Sequence, residues 1–155
     1  MGTTTFTGPI KAGDVLDTTG STAGTVKNVG FVQMAQSVAI TQSATAAATT
    51  ICIPANSQIV AITALVTVAF SGASAGLNVG MSATSNEFVA SANFLLNAVG
   101  LFSASPGTDA TRTANWIDTG TTDDIIYVKA ANAPSGTTGA AILTVEYVQA
   151  INLTA

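Results

Sequence analysis

Short runs rich in Val, Ile, Phe and Tyr alternate along the chain with breaks rich in Gly, Ser, Thr and Asn. Runs and breaks at this spacing are typical of an antiparallel β-sandwich or barrel, in which each run is a strand and each break a turn. We therefore expect an all-β fold of about eight strands. The runs that predict them lie near residues 29–41, 48–53, 58–70, 76–82, 86–95, 114–118, 124–132 and 140–150.

The stretch ICIPANSQIVAITALVTVAF, residues 51–70, contains no charged side chain. A membrane-spanning helix needs about 20 consecutive apolar residues, and the polar break PANSQ leaves too few. Ile51 and Ile53 alternate with Thr50 and Cys52, which indicates a strand buried on one face. A turn at 54–57 follows, because Pro fixes φ while Asn and Ser bond to nearby backbone groups.

After this turn, apolar residues occupy both faces of the run 58–70. A strand apolar on both faces is predicted to be central and covered on both sides. Cys52 lies between two isoleucines, so we expect a buried structural thiol rather than a reactive one. It is the one cysteine of the chain, and therefore no internal disulfide can form.

The last two runs, DIIYVKAAN (124–132) and AAILTVEYVQA (140–150), alternate most clearly and flank the turn-rich loop APSGTTG. Two alternating runs joined by such a loop predict an antiparallel hairpin. The alternation predicts that Glu146 faces solvent, on the face opposite Leu143 and Tyr147.

Residues 86–95 fit more than one kind of structure. Phe88, Ala92 and Leu95 form a helical stripe, which leaves a helix as an alternative. We favour a strand or irregular structure for this segment.

Residues 1–22 lack a strand pattern long enough to join a core, so we expect an N-terminal arm before a single sandwich domain at 23–155. Phe6 and Ile10 flank the Gly8–Pro9 pair and provide apolar anchors within the arm. Such an arm can dock on a neighbouring subunit, or the segment can be a frayed terminus, and the sequence leaves both alternatives open.

The low number of charged residues limits the kinds of partner that the protein is expected to bind. Charged residues make up 8% of the chain, compared with about 25% in ordinary globular proteins. The net charge is −4, and the four basic residues form no cluster, so binding to nucleic acid or to a membrane surface is not expected. The first residues have neither a basic region nor an apolar run, so we expect no signal peptide. Abundant small side chains suit close contact with other protein surfaces.

The sequence offers little catalytic chemistry. It contains no His, which excludes Ser–His–Asp and Cys–His catalysis and His-based zinc sites. Asp118, Asp123 and Asp124 lie close enough in sequence to meet around a hard cation, but a solvated turn is the favoured interpretation. Asp109 is expected to pair with Arg112. We expect no enzyme, no cofactor and no metal site.

Trp116, in TANWIDTG, has two interpretations. Trp is common in binding hot spots, which makes the residue a candidate interface anchor. We favour the alternative, a core residue at a strand end whose N–H is bonded locally.

Three segments together resemble small structural proteins of tailed bacteriophages: FTGPIKAG, ICIPANSQIVAITALVTVAF and DIIYVKAANAPSGTTGAAILTVEYVQA. In that family an I-x-IPA-x-S-x-I turn leads into a long Val- and Thr-rich strand, and the chain closes on a V-x-Y-V strand. The proteins it resembles are capsid decoration, or cement, proteins with a jelly-roll β-sandwich.

The resemblance implies a protein made in the host cytoplasm that binds the outside of an assembled head and stabilises it. Its partners would be the major capsid protein and further copies of itself, as a homotrimer. Phe6, Pro9, Ile10 and Trp116 are the candidate contacts with the capsid or between subunits. Two alternatives remain: a virion surface knob that binds carbohydrate or a host receptor, and a metal enzyme built on the aspartates at 118–124.

Overall fold

The structure is a computed structural model that describes residues 33–72, 75–84, 86–131 and 138–148 of the chain. These ranges contain seven strands, a short 3-10 helix and an α-helix. The strands are β1 (Gln33–Thr41), β2 (Ala47–Ile53), β3 (Gln58–Val68), β4 (Gly76–Gly80), β5 (Gly100–Ser103), β6 (Asp124–Ala131) and β7 (Ala140–Val148). The 3-10 helix is Ser91–Asn93 and the helix α1 is Ala110–Ile117. Residues 1–22, the predicted arm, lie outside the described residues.

The strands form two antiparallel sheets, one with the order β1-β7-β3-β5 and one with the order β2-β6-β4. The all-β sandwich is therefore confirmed. Strands that follow each other in the chain lie in opposite sheets throughout, so each connection crosses between the sheets. The predicted hairpin is wrong for this reason: β6 pairs with β2 and β4, whereas β7 pairs with β1 and β3.

The core lies between the two sheets and receives one face of each strand. In β7 the alternation is as predicted, with Leu143, Val145 and Tyr147 buried and Glu146 on the outer face. Residues Ile51 and Ile53 of β2 are also buried. Other large and fully buried side chains are Phe88, Phe94, Ile62, Leu77, Leu96, Ile126, Val66 and Val79.

Two burial predictions are wrong. Cys52 is exposed, because the isoleucines on either side turn inward and a strand alternates its faces. Strand β3 is central but is covered on one side, with Val66 buried and Leu65 46% exposed. A bulge between Ile59 and Ala61 shifts the alternation of β3, which obscures the two faces in the sequence.

The turn at 54–57 is confirmed and is tied to the loop before β6. Asn56 takes a positive φ of 55°, which Asn tolerates better than most residues, and its N–H donates to the Gly120 carbonyl at 2.6 Å. The Thr119 N–H donates to the Ser57 carbonyl at 2.9 Å, and the Ser57 N–H donates to the Thr119 hydroxyl at 3.2 Å. These bonds join two loops at one end of the sandwich.

Residues 86–95 are irregular, one of the two structures favoured from the sequence. They run beside β4 through isolated antiparallel bridges, Val79 with Val89 and Gly76 with Leu95. The backbone of Ser91 lies so close to Gly76 that a Cβ at this glycine would collide with it. This segment thus extends the smaller sheet without forming a regular strand.

The region 100–118 differs most from expectation. A strand was predicted at 114–118, but the structure has the helix α1 there, and β5 at Gly100–Ser103 was not predicted. The Asp109 carboxylate caps the helix by accepting from the Arg112 N–H at 2.9 Å. The same two side chains approach within 3.8 Å, which confirms the expected pair. Among the described residues, no helix has the length and apolar character needed to cross a membrane.

Candidate interaction surface

The outer side of the larger sheet carries a row of apolar side chains across its four strands. Leu65 of β3 lies opposite Leu101 of β5 and also opposite Ile142 of β7, and Ile142 lies opposite Ala39 of β1. Residues directly opposite in antiparallel strands project from the same face. Leu101 is 69% exposed, Leu65 46% and Ile142 43%.

Val68, at the end of β3, adds a further exposed apolar side chain, and it lies opposite Ala140, two residues from Ile142. We call Leu65, Val68, Leu101 and Ile142 the apolar face. Single exposed hydrophobic residues are ordinary, whereas several on one sheet face are typical of a binding surface.

The row beside the apolar face carries hydroxyl groups and no charged side chain. Thr63 lies opposite Ser103 and Thr144, and the Thr144 hydroxyl is 2.8 Å from that of Ser37. The next row contains Glu146, whose carboxylate accepts from the Gln33 amide at 2.6 Å. Polar groups beside an apolar centre are characteristic of the rim of protein interfaces.

Trp116 lies on α1, half-buried against the core. Its indole N–H donates to the Phe88 carbonyl at 2.9 Å, and the neighbouring Asn115 amide donates to the Glu87 carbonyl at 3.0 Å. The helix thus holds the irregular segment in place. The partial burial agrees with the favoured interpretation, but the indole bond joins a residue distant in the sequence, and Trp116 lies in a helix and not at a strand end. Its role as a contact stays a prediction.

The other three contact candidates, Phe6, Pro9 and Ile10, lie outside the described residues. The apolar face was not identified as a site from the sequence. The alternation of β7 does indicate that Ile142 is on the face opposite the core, but the register that aligns it with Leu65 and Leu101 depends on long-range strand pairing.

Two of the three aspartates at 118–124 accept hydrogen bonds from backbone N–H groups. Asp118 accepts from the Gly120 N–H at 2.9 Å, and Asp123 accepts from the Ala55 N–H at 2.9 Å. These bonds agree with the turn interpretation. In the described ranges, no group of three or more acidic, His or Cys side chains is arranged to hold a metal ion.

Two carboxyl groups near this end have shifted pKa values. Burial raises the pKa of Asp124, and the negative charges of Asp123 and Glu87 raise it further. Burial also raises the pKa of Glu87, but hydrogen bonds from Ser82, Thr84 and backbone amides outweigh it and leave the pKa below its ordinary value. The Asp124 Oδ2 atom is buried and has no hydrogen-bond partner among the described residues. The ionised form of Asp124 is therefore poorly accommodated.

No protein-family model matches the chain, and no curated protein matches it. Among solved structures, it is similar to a chain described as the cyanophage Pam1 capsid asymmetric unit. The two are 17% identical, the match covers 77% of this chain and 86% of the other, and the TM-score is 0.51. At this identity the likeness is one of fold.

Proposed function

We propose that this protein is a non-enzymatic structural component of a phage virion that binds the outer surface of an assembled capsid and stabilises it. The observation that carries the proposal is the similarity in fold to a chain of a cyanophage capsid, over most of the length of both chains. The sequence resemblance to decoration proteins of tailed phages supports the same role.

The strand order supports a jelly roll as the specific topology. In a jelly roll, two facing sheets are built from eight strands in two Greek keys. Here the chain passes to the opposite sheet at each connection, and the irregular segment 86–95 takes the position of a fourth strand beside β4. Viral capsid domains are a common use of this fold.

The apolar face is the surface we assign to the contact with the capsid. It lies on the outer side of the four-stranded sheet, is centred on Leu65, Leu101 and Ile142, and is bordered by a row of hydroxyl groups. Burying these side chains against a capsid protein would contribute about 25 cal/mol for each Å² of apolar surface. A protein that binds only the assembled shell stabilises the shell by mass action.

The outer surface is favoured over the inner one by charge. A protein lining the inside of a filled head faces packed nucleic acid, where basic residues would be expected to neutralise phosphates. The net charge of this chain is −4, with four basic residues. The virion exterior, after synthesis in the host cytoplasm, is therefore the proposed location.

Self-association as a homotrimer, with the major capsid protein as the other partner, rests on the family resemblance alone. In a trimer each copy meets the next through a heterologous interface that closes into a ring. The candidate contacts Phe6, Pro9, Ile10 and Trp116 remain proposals for these interfaces. The alternative of a carbohydrate- or receptor-binding knob has less support, because Trp116 and Phe102 are half-buried against the core.

Quantitative co-sedimentation with phage particles tests the proposal, with the bound copies counted per shell. We expect saturable binding at a high copy number compatible with icosahedral symmetry. Ile142→Asp should weaken binding by about tenfold or more, since it places a charge in the buried centre.

Ile125→Asp is the matched control, because Ile125 is similarly exposed, at 48% against 43% for Ile142, but lies on the other sheet. Circular dichroism of both variants establishes that they are folded. Binding of only a few copies at a vertex or tail would overturn the decoration role. Equal loss in the two variants would leave that role in place and exclude the apolar face as its surface.

A further inference from the structure

Strand β1 forms one edge of the larger sheet and, among the described residues, pairs with β7 alone. The outer edge of such a strand presents backbone N–H and C=O groups that can pair with another strand. Strand β1, QMAQSVAIT, is nine residues long and contains neither a charged residue nor a proline. Its register with β7 runs from Gln33 to Thr41 without a bulge. Short length, charges, proline and bulges are the features that keep edge strands from pairing, and β1 has none of them.

Two of the other sheet edges are protected. Strand β2 is an edge of the smaller sheet, but its register with β6 is interrupted after Ala48. Both backbone groups of Cys52 in this strand bond to the Gln36 side chain, at 2.6 and 3.1 Å. Strand β5, the second edge of the larger sheet, has only four residues. A break in register, a side chain in the place of a strand and a short length each hinder pairing at these edges.

The helix α1 protects the edge beside β4, which the irregular segment 86–95 forms. Three side chains of α1 donate to three successive backbone carbonyls, those of residues 86, 87 and 88. The donors are Arg112 at 3.0 Å, Asn115 at 3.0 Å and Trp116 at 2.9 Å, and residues at this spacing share one side of a helix. These carbonyls are therefore occupied, and β1 is the open edge of the described sandwich.

We propose that β1 pairs antiparallel with β1 of a second copy in the free protein, about a two-fold axis at Ser37. A two-fold contact needs a strand that is complementary to itself. The positions then opposite each other are Gln33 and Thr41, Met34 and Ile40, Ala35 and Ala39, Gln36 and Val38, and Ser37 with its own copy. Apart from Gln36 and Val38, each pair joins polar with polar or apolar with apolar, and no charge meets another. This self-complementary pattern favours a second copy over a strand of a different protein.

The pairing supplies as many hydrogen bonds as an ordinary interface. Nine opposed residues in an antiparallel pair form about eight to ten backbone hydrogen bonds, and a typical protein interface contains about ten. Met34, which is 43% exposed, lies beside Ile40 of the second copy in this pairing and loses part of its exposed surface. Because opposite residues project from the same face, the apolar faces of both copies lie on one side of the joined sheet.

This inference concerns the free protein and does not depend on the proposed function. The β1 contact joins two copies and closes, whereas the contact proposed for a trimer forms a ring, so the two contacts are distinct. Its test measures the association of free copies and uses no phage particle. Its failure is therefore separate from a failure of the proposed function.

Charge exchange at Ser37 tests the pairing, because this residue lies opposite its own copy. Sedimentation velocity of the full-length protein at several concentrations measures the association, and we expect reversible pairing of wild-type copies. Ser37→Glu and Ser37→Lys should each raise the dissociation constant of this contact by at least about tenfold, since each places like charges directly opposite. An equimolar mixture of the two variants should associate to within about threefold of the wild type, because opposite charges then meet.

Ser103 provides the matched control. It is an exposed serine in the same outer row as Ser37, through Thr63 and Thr144, but lies on the opposite edge of the larger sheet. Ser103→Glu and Ser103→Lys should leave the association unchanged, alone or mixed, and circular dichroism establishes that all four variants are folded. A wild type that is monomeric at about 0.1 mM, equal effects at the two serines, or a mixture that associates no better than its single variants would each overturn the proposal.

A disulfide provides a second test that does not depend on charge. In a Cys52→Ser background, which removes the exposed native thiol, Ser37→Cys places two thiols opposite each other. Opposite residues of an antiparallel pair have Cα atoms about 4.5–5.5 Å apart, a separation that a disulfide can span. With oxidised glutathione, we expect Ser37→Cys to form an interchain disulfide at least about tenfold faster than Ser103→Cys in the same background. Equal rates would contradict pairing of β1 about Ser37.

Discussion

At the scale of single residues, the Gln36 side chain acts in place of a β-strand backbone. Its amide donates to the Cys52 carbonyl and to the Tyr147 hydroxyl, and its oxygen accepts from the Cys52 N–H. A second glutamine, Gln42, bonds both backbone groups of Ser71 in the same manner, at 3.0 and 3.2 Å. Both side chains join segments that are not paired as strands.

Replacing Gln36 with Ala should lower the free energy of unfolding by about 1–2 kcal/mol, because backbone groups of Cys52 lose their partners. Urea denaturation measures the change. Gln33→Ala in the same strand is the control, since Gln33 makes an exposed bond to Glu146, and its effect should stay within about 0.5 kcal/mol. Equal losses in the two variants would contradict a special role for Gln36.

Asp124 should make stability depend on pH. Its pKa is raised in the folded state by burial and by the charges of Asp123 and Glu87, so the folded protein binds this proton more tightly than the unfolded chain. The tighter proton binding of Asp124 stabilises the folded protein at pH values below the pKa of the unfolded chain. This contribution to stability is lost as pH rises through the pKa of the folded state. The ionised group is therefore destabilising at neutral pH.

Asp124→Asn should raise the free energy of unfolding at pH 7 by about 0.5 kcal/mol, a modest gain because the group is partly exposed. The gain should disappear near pH 3, where the wild-type carboxyl is largely protonated. Denaturation curves at both pH values measure it. Asp123→Asn is the contrasting variant, because it weakens the bond from the Ala55 N–H and should destabilise the protein.

At the scale of elements, the irregular segment 86–95 depends on the close approach of Ser91 to Gly76. Gly76→Ala should lower stability by about 1–3 kcal/mol or more, because the added methyl meets backbone that cannot move independently. Gly120→Ala provides a comparison, since its Cβ meets nothing within 4 Å and its cost arises from the positive φ of 97°. In thermal unfolding, Gly76→Ala should lower the melting temperature more than Gly120→Ala does.

The sequence predicted which elements exist better than it predicted their partners. Alternation identified β7 with its correct faces, because the face of a strand is a local property. It did not predict the partners of β6 and β7, since pairing depends on connections that cross between the sheets. Bulges in β3 made a one-sided strand look apolar on both faces.

The helix α1 was missed because its eight residues make only about two turns, too short a stretch for a helical period to be separated from a strand pattern. The Asp109 cap is visible in the sequence, but an Asp in a Gly- and Thr-rich segment is equally typical of a turn. The apolar residues of the candidate surface are visible in the sequence. Their position as neighbours is not, because the register that aligns Leu65 with Leu101 and Ile142 depends on long-range strand pairing.

At the scale of the whole molecule, the apolar face is separate from the charged side chains of its sheet. On the outer side of the larger sheet, three successive rows of the described residues contain Leu65, Thr63 and Glu146. Glu146 is the one charged side chain in these three rows. Exposed charges attract partners through an interaction that salt screens, whereas burial of apolar surface is insensitive to moderate salt. The response of particle binding to ionic strength therefore distinguishes the two kinds of contact.

If the apolar face contacts the capsid, the dissociation constant should change by less than about threefold between about 0.05 and about 0.5 M salt. The heat capacity change on binding should be negative, as expected for burial of apolar surface. Isothermal titration calorimetry at several temperatures and salt concentrations measures both quantities on the same particles. A steep loss of affinity with salt, combined with a heat capacity change near zero, would indicate that the protein binds through its acidic groups and not through Leu65, Leu101 and Ile142.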